Sequence, residues 1–115
     1  MDAQTPFPAV SPDATFVAWH EVRGRPNVVV DGPACDGMIL GLSHWPDGGT
    51  PTGLEADTST QIVARYLDVA VAGEPVAVVT NNHFDEDGIL AAHLLLARPD
   101  AAERIAAEIL EAVPT

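Results

Sequence analysis

The run His83-Phe84-Asp85-Glu86-Asp87-Gly88 sets one imidazole and two carboxylates at alternate positions ahead of a glycine. Alternate residues of an extended or turning chain direct their side chains to a common side. His83, Asp85 and Asp87 can therefore converge on a divalent cation while Phe84 turns the other way into apolar packing. Nitrogen and oxygen donors together suit manganese, iron or zinc better than calcium. An EF-hand match fails, because its first ligand would be His83 and its twelfth position, where a bidentate Glu is required, holds Leu94. A competing reading makes Asp85 and Asp87 only the cap and first-turn acids of a following helix, with His83 a solvated loop residue. Capping needs one acid, however, and accounts for neither His83 nor the paired Asn81 and Asn82 before it. The aspartates can serve both purposes.

These side chains need a rigid element on each side. Residues 76–80 read as a central strand buried on both faces, and the apolar run 89–97 as the helix that follows. In open α/β sheets the carboxyl ends of strands form binding crevices, and a helix N-terminus adds partial positive charge suited to phosphate. Upstream, residues 15–19 and 27–31 look like strands separated by the turn-prone Arg23-Gly24-Arg25-Pro26. Residues 38–42 are strand or short helix and deliver Ser43-His44-Trp45-Pro46 to a loop. Thr58 and Gln61 form a capping-box pair at the start of a helix expected over residues 59–71, which Gly73-Glu74-Pro75 should stop. A last amphipathic helix is expected from Pro99 onward. The order is strand, helix, strand, helix, so the expected fold is α/β, a small and mostly parallel sheet with flanking helices. Residues 1–14 read as a proline-rich tail or edge-covering arm, and residues 15–115 as a single α/β domain.

Five more residues are candidates for the site. Asp31 follows Val28-Val29-Val30 and precedes Gly32, which suits a strand-end metal ligand and equally a plain Asp-Gly turn. His44 sits in another strand-end loop, where it either meets substrate or packs beside Trp45. Asp57 is a helix cap or part of a polar cluster that meets substrate phosphate. Asn81 and Asn82 are placed to bind substrate beside His83. His93 reads as a partly buried core histidine, and His20 has no evident partner. Cys35 stands in an acidic setting that should raise its pKa, against a catalytic role.

The segment Val78-Val79-Thr80-Asn81-Asn82-His83-Phe84-Asp85-Glu86-Asp87-Gly88-Ile89-Leu90-Ala91-Ala92 resembles the first motif of the DHH phosphoesterase superfamily, a strand running into His-x-Asp-x-Asp-Gly and then a helix. The resemblance implies a two-metal, usually manganese, site that hydrolyses phosphodiester or pyrophosphate bonds, with His83, Asp85 and Asp87 as ligands. The family's later motifs, a strand-end Asp and the Asp-His-His triplet, do not follow downstream. The stretches Val28-Val29-Val30-Asp31-Gly32, Leu42-Ser43-His44-Trp45-Pro46 and Ala56-Asp57-Thr58-Ser59-Thr60 also resemble the front of an uncharacterised bacterial family that carries the same His-Phe-Asp-Glu-Asp-Gly motif. On that likeness the chain is the front part of a longer protein and of a larger DHH-like domain.

Composition sets outer limits. At 115 residues the chain suits one domain, with a core but little room for a complete binuclear hydrolase. Seventeen acids against five arginines and no lysine give a formal charge of −12, which excludes a basic nucleic-acid-binding module and disfavours contact with a nucleic-acid backbone unless metal ions compensate. A small phosphorylated molecule fits that balance better. One cysteine cannot form an intramolecular disulfide, which favours the cytoplasm, and the first residues lack the basic start and apolar run of an export signal. No apolar stretch reaches membrane-spanning length. The function class that competes with a phosphoesterase is a non-catalytic acidic α/β domain, metal-binding or not and open to homodimer formation, that serves structure or partner contact.

Overall fold

The structure, a computed structural model, describes residues 6–83 and 85–98. Phe84 and the helix expected from Pro99 lie outside the described residues. Four strands and two helices follow in the order β1 (Phe7–Phe16), β2 (Asn27–Val30), β3 (Met38–Leu42), α1 (Ser59–Tyr66), β4 (Val71–Thr80) and α2 (Glu86–Ala97), with a 3-10 turn at Trp19–Glu21. All pairings are parallel and the sheet order is β1-β4-β2-β3. This is the small parallel α/β fold the sequence predicts.

Hydrophobic burial follows the pattern that sequence sets. Val28, Val29 and Val30 are each fully buried, so β2 is covered on both faces. Val28, Val30, Leu40, Leu42 and Val79 on the sheet pack with Ile62, Val63 and Tyr66 of α1 and with Ala91, Leu94 and Leu95 of α2. The α2 set recurs at three- and four-residue spacing, so one face of the helix turns inward. The two helices also touch each other, and α2 reaches β1, where the Arg98 guanidinium donates to Val10 O. Thr58 and Gln61 make the expected capping box: Thr58 Oγ1 accepts from Gln61 N–H at 3.1 Å, and Gln61 Oε1 accepts from Thr58 N–H at 3.2 Å.

Several boundaries differ from expectation, each for a reason visible in the pairing. The first strand begins at Phe7, inside the segment read as a tail, because Phe7 and Pro8 pair with Val71 and Ala72. Helix α1 ends at Tyr66 instead of reaching Val71, and the last strand starts at Val71 instead of Val76. Gly73 and Pro75 are tolerated within β4 because this stretch pairs only with β1, with a register shift before Val76. Proline is confined to such edges and irregularities, where no ladder hydrogen bond is lost. Ala77 is exposed, so the strand is not covered on both faces along its whole length, and His93 is exposed rather than part of the core. None of the described helices is long and apolar enough to cross a membrane.

Candidate metal centre

The sheet order brings the carboxyl ends of β4, β2 and β3 side by side. Val28 and Val29 pair with Val79 and Thr80, Val30 pairs with Leu42, and Asp31 N–H extends that ladder to Leu42 O at 3.1 Å. Asp31 therefore emerges between the loop carrying His44 and the loop carrying His83. Its backbone takes the left-handed conformation, φ 52°, which Asp tolerates better than most residues. The turn directs a fully buried carboxylate into the space between both histidines.

Two sets of ligand atoms meet there, one on each oxygen of Asp31. On the Oδ2 side, His83 Nε2 lies 3.3 Å from Asp31 Oδ2 and 3.1 Å from Asp85 Oδ2. On the Oδ1 side, His44 Nδ1 lies 3.2 Å from Asp31 Oδ1 and 3.3 Å from Asp87 Oδ2. Neighbouring ligands of an ion held by bonds of about 2.1 Å stand about 3 Å apart, so both sets have the spacing that a divalent cation requires. His83, Asp85 and Asp87, grouped in the sequence by one motif, are thus divided between two sets. Asp31 joins both sets, and His44, expected to meet substrate, falls among the ligands.

Supporting contacts fix each member. Asn81 Nδ2 donates to Val30 O at 2.6 Å and its Oδ1 accepts from His83 N–H at 2.7 Å, which locks the loop to β2. Buried and engaged in this way, Asn81 positions the loop instead of facing substrate. Asn82 Oδ1 lies 2.6 Å from His83 Nδ1. An amide oxygen accepts the Nδ1 proton and leaves the Nε2 lone pair for the site, as in metal-bound histidines. Gly32 makes room for this contact, since a Cβ there would come within 2.9 Å of Asn82 Oδ1. Asp85 caps α2 through Oδ1, which accepts Gly88 N–H at 2.8 Å. Asp87 sits on the start of the other helix, accepting Ser59 N–H at 2.8 Å and both Thr60 N–H and Thr60 Oγ1–H at 2.7 Å. The capping reading is thus correct for one oxygen of Asp85 and for Asp87 as a first-turn acid of α2, but the Asp87 carboxylate also holds the start of α1, which that reading leaves out. Asp57 is exposed and the capping role belongs to Thr58.

Two residues absent from the sequence-derived site complete it. Ser59 Oγ donates to Asp31 Oδ1 at 2.8 Å, and Trp45 Nε1 donates to the same oxygen at 3.1 Å. The indole also contacts both imidazoles, tilted against the His44 ring at 5.1 Å between centroids and edge-on to the His83 ring at 6.2 Å. Both lie inside motifs noted from the sequence, but only the packing of α1 and the β3 loop onto Asp31 shows what they do. A cavity of about 290 Å³ opens beside Gly32, Trp45, Asp47, Asn82 and His83, and another of about 260 Å³ beside His44, Trp45, Thr50 and Glu55.

Electrostatics match this packing. Burial pushes the Asp31 carboxyl up from 3.8 to about 6, with Asp85 and Asp87 adding to the rise and the Ser59 hydrogen bond opposing it. Burial acts on Asp85 too, but is outweighed by the Gly88 N–H, Asp31 and His83, which hold this carboxyl below its ordinary value. The Cys35 thiol is raised chiefly by burial, with the Asn27 hydrogen bond opposing and Asp36 adding least, so the expected direction holds while the acidic setting is only its minor cause.

Fold and cluster define a small parallel α/β domain with acidic and histidine groups placed to hold a metal ion at the carboxyl ends of its strands. The chain belongs to a family of unknown function, DUF6687, which matches residues 12–113. No curated protein and no solved structure matches it.

Proposed function

We propose that this chain is a metal-dependent hydrolase of phosphate esters, related to the DHH phosphoesterases, which uses manganese held by His83, Asp85, Asp87, Asp31 and His44. The observation that carries the reading is Asp31 Oδ2. When ionised, this buried carboxylate oxygen accepts no hydrogen bond, and the atoms it faces, Asp85 Oδ2 and, in the tautomer that Asn82 Oδ1 selects, His83 Nε2, bear lone pairs of their own. An unsatisfied buried polar group costs about 1–3 kcal/mol, and more when charged, a cost that a cation at this point removes. The donor set of imidazole and carboxylate fits manganese.

When bound, divalent cations lower the pKa of a coordinated water and stabilise charge on phosphoryl oxygens during in-line displacement. The chain itself orients the donors: Asn82 sets the His83 ring, Ser59 and Trp45 set Asp31, and the α1 N-terminus sets Asp87. The two cavities on either side of Trp45 give room for the two parts of an ester. Among the described residues no arginine lines either cavity, and the chain has no lysine, so a substrate phosphate would be anchored through metal rather than through lysine or those arginines. With a charge of −12, that favours a small phosphorylated substrate over a nucleic-acid strand, in a cytoplasmic setting.

One observation favours a second reading, a non-catalytic metal-binding or interaction domain, with self-association open to it: both aspartates of the motif hold helix starts. Metal content after dialysis against limiting manganese and zinc, compared with Asp85→Ala, tests the shared premise. Hydrolysis of bis(p-nitrophenyl) phosphate then separates the two. Activity lost in His83→Ala and in Asp85→Asn, which keeps a capping oxygen, with Tm nearly unchanged supports catalysis. Bound metal without hydrolysis, lost together with stability in those variants, supports the structural role.

A further inference from the structure

The lone pairs of the Asp31 carboxylate are unequally engaged. Oδ1 accepts from Ser59 Oγ–H and Trp45 Nε1–H, which fills both of its acceptor directions. Oδ2, in the same fully buried residue, accepts from nothing. The neighbours divide in the same way. On the Oδ2 side, His83 has Nδ1 tied to Asn82 and Nε2 turned to the site, and Asp85 caps α2 with Oδ1 and offers Oδ2. On the Oδ1 side, Asp87 already accepts from Ser59 N–H, Thr60 N–H and Thr60 Oγ1–H, and His44 Nδ1 lies 3.0 Å from Ser59 Oγ. Ser59 thus touches every member of the second set, through its hydroxyl at Asp31 and His44 and through its N–H at Asp87.

We propose that the two sets fill in order: His83, Asp85 and Asp31 Oδ2 take the first divalent cation, and the Ser59 hydroxyl holds the His44, Asp87 and Asp31 Oδ1 set closed until a second cation displaces it. This rests on the metal reading above and extends it to how the centre loads. Ser59 is a positioning residue, because it engages the ligands and not the ion. Ser59→Ala removes the hydroxyl, and with it the acceptor of the His44 N–H at 3.1 Å, yet keeps the N–H that Asp87 accepts, and the α1 cap belongs to Thr58, so the fold should be retained.

The test is a titration of the full chain with Mn²⁺ alone, followed by calorimetry and by loss of the free-ion EPR signal. Two steps are expected, differing by at least about tenfold in affinity, the usual scale for groups that orient metal ligands. Ser59→Ala should tighten the second step by roughly tenfold, the equivalent of one hydrogen bond that the cation no longer has to displace, and leave the first unchanged. Asp85→Asn should remove the tight step. Two equivalents of one affinity, a single equivalent in both chains, or a second step unmoved or weakened in Ser59→Ala would overturn the ordering and leave the metal reading standing. No uptake by the unsubstituted chain would overturn both.

Discussion

Asp31 and His83 face each other across the seam between β2 and β4, Oδ2 to Nε2 at 3.3 Å, with no hydrogen bond satisfying the carboxylate oxygen. The strands that lead to the two residues are buried where they end, so the backbone beneath either one is fixed by the sheet, and the His83 ring is held in place by Asn82. The contact makes the charge state of Asp31 a property of the whole fold.

Protonation of Asp31 should therefore shape stability. Its folded pKa of about 6 lies above the ordinary 3.8, so between these values the native state binds more protons than the unfolded chain. Stability must then fall as pH rises through this window. Asp85, shifted the opposite way, contributes stability above its ordinary pKa that is lost only at lower pH. Thermal melts of chelator-treated protein should show Tm falling from pH 4.5 to 6.5, with a shallower fall in Asp31→Asn. Equal slopes in the two chains would contradict the assignment. Saturating Mn²⁺ should raise Tm most at the upper end of the window, where Asp31 is ionised.

Asn82 is exposed and bonds to the His83 ring, so it can be changed without touching the core. Asn82→Leu should lower Mn²⁺ affinity by about tenfold by freeing the imidazole to rotate or change tautomer. Asn82→Asp keeps an acceptor and should retain binding. Competition against a fluorescent chelator measures both, and unchanged affinity in Asn82→Leu would remove Asn82 from the site.

Gly88 has no space for a side chain. A methyl there would stand 2.9 Å from Asn81 Nδ2 and 3.1 Å from Asp31 Oδ2. Gly88→Ala gains helix propensity but should still lose about 1–3 kcal/mol in denaturant unfolding through overpacking. Ile89→Ala, at an exposed position one residue on, should change little. A stabilised Gly88→Ala chain would show that the loop yields more readily than its contacts imply.

Asp87 carries the start of α1, so its removal should be costly whether or not metal binds. Asp87→Ala leaves the N–H groups of Ser59 and Thr60 unpaired in a buried setting and should lose roughly 3 kcal/mol, against about 1 kcal/mol for the cap variant Thr58→Ala. Chemical denaturation ranks the two. The reverse order would mean that Asp87 is not the main anchor of that helix.

Much of the fold was legible because local patterns and tertiary packing agree. The valines of β2, the Thr58 and Gln61 cap and the apolar spacing of α1 each predict the element that forms. The strand from Val71 was not legible, since Gly73 and Pro75 carry breaker signals that only pairing with β1 overrides. At the site, His83, Asp85 and Asp87 could be found from spacing because they lie within one short run. Asp31 and His44 were visible only as strand-end residues, and their meeting depends on β2 lying between β4 and β3. Ser59 and Trp45 gave no chemical signal, because their importance lies in which lone pair of Asp31 they occupy.

The strand order also constrains how the chain assembles. β1 and β2 follow one another in sequence but are not neighbours, because β4 slots between them. Until β4 is in place, β1 has no partner and β2 presents a bare edge. Closing that gap joins segments far apart in the chain, the kind of contact that slows folding. The same insertion brings His83 to Asp31, so the sheet acquires its last central strand and its ligand cluster in a single event. A nascent chain stalled before β4 would display an open strand edge and no competent centre, a state open to pairing with the wrong neighbour.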